Sequence, residues 1–148
     1  MQNPLQTKPP PSVVSEAQMQ TNIKRWIEVS FQKEGVHYYP GADTRADLAT
    51  GDEYDVSFLG SPHFHYFYFT VRIQVTHNDR DLEFIQFRRW LERLYDAGTL
   101  NMDHKSCEML AEDLYGKIAE RYPNRDVVIS VGEDNINRAI LEFTGSTS

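Results

Sequence analysis

The feature that most constrains this chain is the stretch His63-Phe64-His65-Tyr66-Phe67-Tyr68-Phe69-Thr70-Val71-Arg72-Ile73-Gln74-Val75. It holds no Gly or Pro and is dominated by aromatic and β-branched residues, so it predicts one long strand. Side chains alternate across a strand. His63, His65, Phe67, Phe69, Val71, Ile73 and Val75 therefore share one face, and Phe64, Tyr66, Tyr68, Thr70, Arg72 and Gln74 share the other. The first face is dry and opens with two imidazoles. A His-x-His pair on a strand can direct both rings at one metal ion, and neutral imidazole is a good zinc ligand. Taken alone, the pair is more simply accounted for by two half-buried histidines at a strand end.

The rest of the chain sorts around that strand. Residues 1–22 are polar, carry Pro9-Pro10-Pro11 and read as a flexible leader, with one domain over 23–148. A first strand is expected at about 24–32, where Ile27, Val29 and Phe31 alternate with Glu28 and Ser30. Gly35 to Gly41 continues or follows it, and 41–53 is a loop. After a turn at 77–80, Asp81 is placed to cap a helix over 82–96 with an apolar stripe of Phe84, Phe87, Leu91 and Leu94. Gly98 follows as a left-handed terminator. A second helix is expected over 106–121, with Ser106 as N-cap, Leu110, Leu114 and Ile118 buried, and Pro123 beyond its end. Strands at 127–131 and 139–143, joined by a turn at 134–137, complete the order β-β-α-α-β-β. Short links predict an antiparallel sheet with two helices on one face, an α+β fold.

Composition narrows the function classes. A formal net charge of -7 argues against a nucleic-acid binder that works by neutralising phosphates. No apolar run approaches the roughly 18–20 residues of a membrane span, and no signal peptide opens the chain. A single cysteine, Cys107, forms no internal disulfide and no thiolate zinc cluster, which fits a cytoplasmic setting. Eight Tyr, eight Phe and two Trp exceed what a bare core of this size requires, and suit an oligomer interface or a site for a flat ring.

The joint order of several stretches resembles the tunnelling fold (T-fold), and more closely the family of 6-pyruvoyl-tetrahydropterin synthase and 6-carboxy-tetrahydropterin synthase. The resemblance spans about residues 25–143. His37 in Gly35-Val36-His37 matches the family's first zinc histidine, and His63-Phe64-His65 matches its His-Gly-His pair with Phe in place of Gly. Glu83-Phe84 followed by Phe87-Arg88 is similar to the Asp-Phe that opens the first helix. Ser106-Cys107-Glu108 stands where the family has Thr-x-Glu, and Glu133 in Val131-Gly132-Glu133-Asp134-Asn135 falls on the glutamate that anchors the pterin ring. The resemblance implies Zn2+ held by His37, His63 and His65, with one coordination position open for chemistry. It implies a pterin or 7-deazapurine precursor of the dihydroneopterin triphosphate type, bound through Glu133, Ser106 and Glu108. It also implies a homo-oligomer whose subunits join side by side into a barrel, with no nucleic-acid or membrane partner.

The sequence departs from the family at the catalytic base. Phe58-Leu59-Gly60-Ser61-Pro62 occupies the stretch where the family carries its cysteine, and Cys107 lies elsewhere, as a small residue packed at a helix start. The family's Asp-His relay is matched only by an acid, Asp96, while Asp103-His104 comes later than expected. Asp96 and His104 are the candidate catalytic residues, with Tyr38 and zinc-bound water as further proton acceptors. Two functions stay open: a zinc-dependent lyase-type enzyme with a divergent acid–base set, or a non-catalytic T-fold protein that holds a purine, pterin or nucleotide at a subunit interface.

Overall fold

Two strands of 13 residues each, β1 (Arg25–His37) and β2 (His63–Val75), form the backbone of the molecule. They pair antiparallel in unbroken register, from Arg25 opposite Val75 to His37 opposite His63. The structure, a computed structural model, describes residues 22–145 other than Asp43 and Glu53. Apart from Asn22, the leader expected over 1–22 lies outside the described residues. The remaining elements are α1 (Phe84–Arg93), β3 (Leu100–Asp103), α2 (Cys107–Arg121), β4 (Val127–Glu133) and β5 (Asn137–Phe143). A short 3-10 turn, Ser57–Gly60, precedes β2.

The fold is α+β with an open five-stranded sheet in the order β3-β1-β2-β4-β5. The sheet is mixed. The pairs β1–β2, β2–β4 and β4–β5 are antiparallel, but β3 runs parallel to β1. This corrects two expectations, the wholly antiparallel sheet and the order β-β-α-α-β-β, which omitted β3. Leu100-Asn101-Met102-Asp103 is too short to show a period of its own, and its place is set by β1 beside it.

The alternation read in β2 holds. Phe67, Phe69, Val71 and Ile73 are fully buried, and with Val29 and Phe31 of β1 and Val127, Ile129 and Val131 of β4 they make one dry face. Phe87 and Leu91 of α1 and Leu110, Ala111, Leu114 and Ile118 of α2 enter the same cluster, so both helices cover that face. Phe31 and Phe69 stack at 4.9 Å between ring centres across the central strand pair. Each such buried side chain stabilises the fold by roughly 1.5–3 kcal/mol. Gly35 is forced by this packing: a Cβ there would stand 2.8 Å from the Phe67 ring.

The first helix differs from expectation. It starts at Phe84, capped by Glu83, whose carboxylate accepts from the amides of Ile85 and Gln86, and it ends at Arg93. Asp81 is not its cap. Its carboxylate accepts from the Thr76 amide and hydroxyl and pairs with Arg125 at 2.8 Å, joining the end of β2 to the start of β4. Phe84 does not belong to the buried stripe, being 58% exposed. Gly98 has the left-handed φ of 81° but lies four residues beyond the helix cap at Leu94. The second helix follows the reading, with Ser106 accepting from the Met109 amide and Leu110, Leu114 and Ile118 buried. Among the described residues no helix is long and apolar enough to cross a membrane.

Candidate metal centre

Strand register assembles three histidines at one end of the sheet. His37 closes β1 directly opposite His63, and Gly35 stands opposite His65, so all three rings rise from neighbouring positions on the dry face. Ring centres lie 4.5 Å apart for His37 and His63, 5.2 Å for His37 and His65, and 4.8 Å for His63 and His65. One ring nitrogen from each comes within 4.8 Å of the others. The rings rest on Phe67, whose centre is 5.1 Å from His37 and 5.9 Å from His65. Beyond His37 the chain is pinned by the Tyr38 amide donating to the Asp103 carbonyl at 2.9 Å, where the β1–β3 register shifts.

Each ring is oriented by its Nδ1. His37 Nδ1 bonds the Lys105 carbonyl at 3.0 Å and His63 Nδ1 the Ser61 carbonyl at 2.8 Å. His65 Nδ1 bonds Asp134 Oδ2 at 2.5 Å. A carbonyl or an ionised carboxylate only accepts, so each Nδ1 donates a proton and each Nε2 is the ring atom left for another partner. All three Nε2 atoms are buried and have no hydrogen-bond partner. Buried polar atoms are almost always paired, and one is costly to leave unmade. Three converging in one place, each with its opposite nitrogen fixed, is the donor set a metal ion completes. The three residues fit a metal.

Two carboxylates flank the triad. Asp134, at φ 50°, accepts from the Tyr66 amide through its other oxygen, which ties it to β2. The contact with His65, and then the Tyr66 amide, hold its carboxyl below the ordinary value against the opposing effect of burial. Glu133, the last residue of β4, places Oε1 3.2 Å from His37 Nε2 and Oε2 3.5 Å from His65 Nε2. Neither contact has the alignment of a formed hydrogen bond, so the Nε2 atoms remain unpartnered. Charge acts all the same. The His37 contact first, then the fields of the three rings, keep the Glu133 carboxyl below its ordinary value although burial raises it. Burial draws the His37 pKa down, but Glu133 and the Lys105 carbonyl outweigh it and the net shift is upward.

A cavity of about 560 Å³ opens beside the triad, a size that suits a small organic ligand. His37, Tyr38, His63, His104, Ser106, Glu108 and Glu133 line it, so seven of the nine candidate residues named from sequence meet at one place. His65 adjoins it through Glu133. Asp96 does not line it and lies exposed between α1 and β3. Tyr39, Arg45 and Leu48 also line it, with Arg45 donating to the Tyr39 hydroxyl at 2.9 Å.

Two site residues escape the sequence reading. Cys107 is not merely packed at a helix start. It lines the cavity with Sγ 3.7 Å from Glu133 Oε1, and burial first, then the Glu133 charge, push its thiol up to about 12. From sequence Asp134 is part of a turn; only the pairing of β2 with β4, with Phe67 opposite Glu133, shows that it reaches His65. No protein-family model matches the chain, and no curated protein matches it either.

Proposed function

We propose that this is a zinc-binding T-fold protein of the 6-pyruvoyl-tetrahydropterin synthase type. It takes a pterin or 7-deazapurine precursor, of the dihydroneopterin triphosphate kind, into the cavity beside the triad. The observation that carries the reading is the set of three buried, unpartnered Nε2 atoms whose rings are each locked from behind. The α+β arrangement with both helices on one sheet face supports the fold part of this reading. Assembly of subunits into a barrel belongs to the same proposal.

The residues divide the work. His37, His63 and His65 hold the zinc, which supplies a Lewis acid when bound. Glu133 offers a carboxylate at a strand end, able to accept two N–H groups from the amino-pyrimidinone edge of a pterin or guanine-like ring. Ser106 caps the Met109 amide and leaves the amides of Cys107 and Glu108, in the first turn of α2, for a ligand edge. Tyr38 and Tyr39 provide apolar walls with polar tips. For proton transfer, the candidates His104 and Tyr38 line the cavity, and Asp96 does not. Cys107 sits in the cavity as a neutral thiol beside Glu133, so it does not stand in for a thiolate base.

A second reading is favoured by one specific observation. The stretch where the family keeps its base forms the 3-10 turn Ser57–Gly60 followed by Ser61-Pro62, and contains no thiol. On that reading the chain is a binding protein that holds a purine, pterin or nucleotide without turning it over. Incubating the zinc-loaded protein with dihydroneopterin triphosphate separates the two. Product formation establishes the enzyme, and retention of unchanged ligand establishes the binding protein. Failure to bind any pterin or purine contradicts both.

A further inference from the structure

We infer that Glu133 is the fourth protein ligand of the metal while the cavity holds no ring. Metal and ring then draw on one carboxylate. The inference rests on the His-triad reading above and goes beyond it, since that reading leaves the fourth position open and gives Glu133 only to the ring.

Each Glu133 oxygen stands about one tetrahedral edge length from a histidine nitrogen, Oε1 from His37 and Oε2 from His65. Zinc bonds to imidazole nitrogen and carboxylate oxygen are both roughly 2.0–2.1 Å, which sets two ligands of a tetrahedral ion about 3.4 Å apart. Glu133 Oε1 stands 3.2 Å from His37 Nε2 and Oε2 stands 3.5 Å from His65 Nε2. Both nitrogens are buried and unpartnered, and the His37 side chain is only 8% exposed. The carboxylate thus stands beside two of the three triad nitrogens.

The backbone makes that placement firm. Glu133 ends β4 in register with Phe67, on which the His37 and His65 rings rest. Its neighbour Asp134 reaches His65 Nδ1 and is itself tied to the Tyr66 amide and carbonyl. One strand end therefore delivers two carboxylates to the two sides of the His65 ring. Charge favours the same outcome. Three neutral imidazoles leave a divalent ion with its full double charge in a largely buried site, and one carboxylate halves it. Glu133 also keeps a way out: its side chain is 26% exposed, and Oε1 lies 3.7 Å from the Cys107 thiol at the cavity wall.

Cobalt(II) is the probe, because its visible absorption reports coordination number and donor set. Wild type, Glu133→Gln, Glu133→Asp and His63→Ala are titrated with Co2+ alone, and the metal-free melting of each variant verifies its fold. Glu133→Gln removes the charge, and Glu133→Asp keeps it but withdraws the oxygens by one methylene. Both are expected to bind Co2+ about 10- to 100-fold more weakly than wild type, at least the loss seen for groups that only support a ligand. Both are also expected to give an altered spectrum. Wild-type affinity and spectrum in both variants, with binding abolished in His63→Ala, overturns the inference and leaves the triad standing. Absence of Co2+ binding by the folded wild type overturns the triad and the inference with it.

Discussion

The two ends of the β1–β2 pair use polar residues in opposite ways. At one end, Asp81 receives the Thr76 amide, the Thr76 hydroxyl and the Arg125 guanidinium, which also donates to the Gln74 carbonyl. Every partner needed to settle that carboxylate is supplied by the chain. At the other end, three imidazoles are fixed through Nδ1 and left unpartnered at Nε2. An end whose polar atoms are satisfied holds the fold together. An end whose atoms are held in place but unsatisfied is prepared for something from outside the chain.

The largest effect expected from this contrast is at the histidine end. His37→Ala removes one of the three clustered histidines and should weaken or abolish metal uptake, read as metal retained after dialysis against zinc, while the metal-free variant melts close to the metal-free wild type. A variant that keeps its zinc breaks the comparison. Arg125→Ala should do the reverse. It leaves Asp81 without its cation at a side chain only 15% exposed, and should cost about 1.5–3 kcal/mol in urea unfolding with the zinc content unchanged. Gly35→Ala joins the two effects. Its new Cβ meets the Phe67 ring under the triad, so a loss of about 1–3 kcal/mol is expected together with weaker metal binding.

The smallest expected effect is in acid. The Arg125 ion pair first, then the Thr76 groups, lower the Asp81 pKa to about 2 against the effect of burial. A carboxyl depressed on folding contributes its stability above the unfolded value of about 3.9, and that contribution fades as pH falls through the folded value. Wild type should therefore lose more stability between pH 5 and pH 2 than Asp81→Asn does. Equal pH dependence in the two proteins would remove Asp81 from the account.

Much of this was legible in the amino-acid order because β2 announces itself. Thirteen residues with strict alternation define a strand, a buried face and the place of His63 and His65 on it. His37 was identified by resemblance, and the structure supplies the reason it belongs: a register that sets it opposite His63. What stayed hidden depends on contacts between distant segments. Asp81 reads as the helix cap, but Arg125, 44 residues on, claims its carboxylate, and the cap falls to Glu83. β3 is four residues held by a parallel neighbour, without a pattern of its own. Asp134 reads as a turn residue until β4 is laid beside β2. Cys107 occupies a helix start, and only the fold turns its sulfur toward Glu133.

The central claim is that the triad is a metal site, and the direct measurement is zinc per chain in protein purified without added metal or chelator. The account predicts about one zinc per chain in the wild type and none in His63→Ala. Folded wild-type protein that carries no zinc, and takes up none when it is supplied, would contradict it.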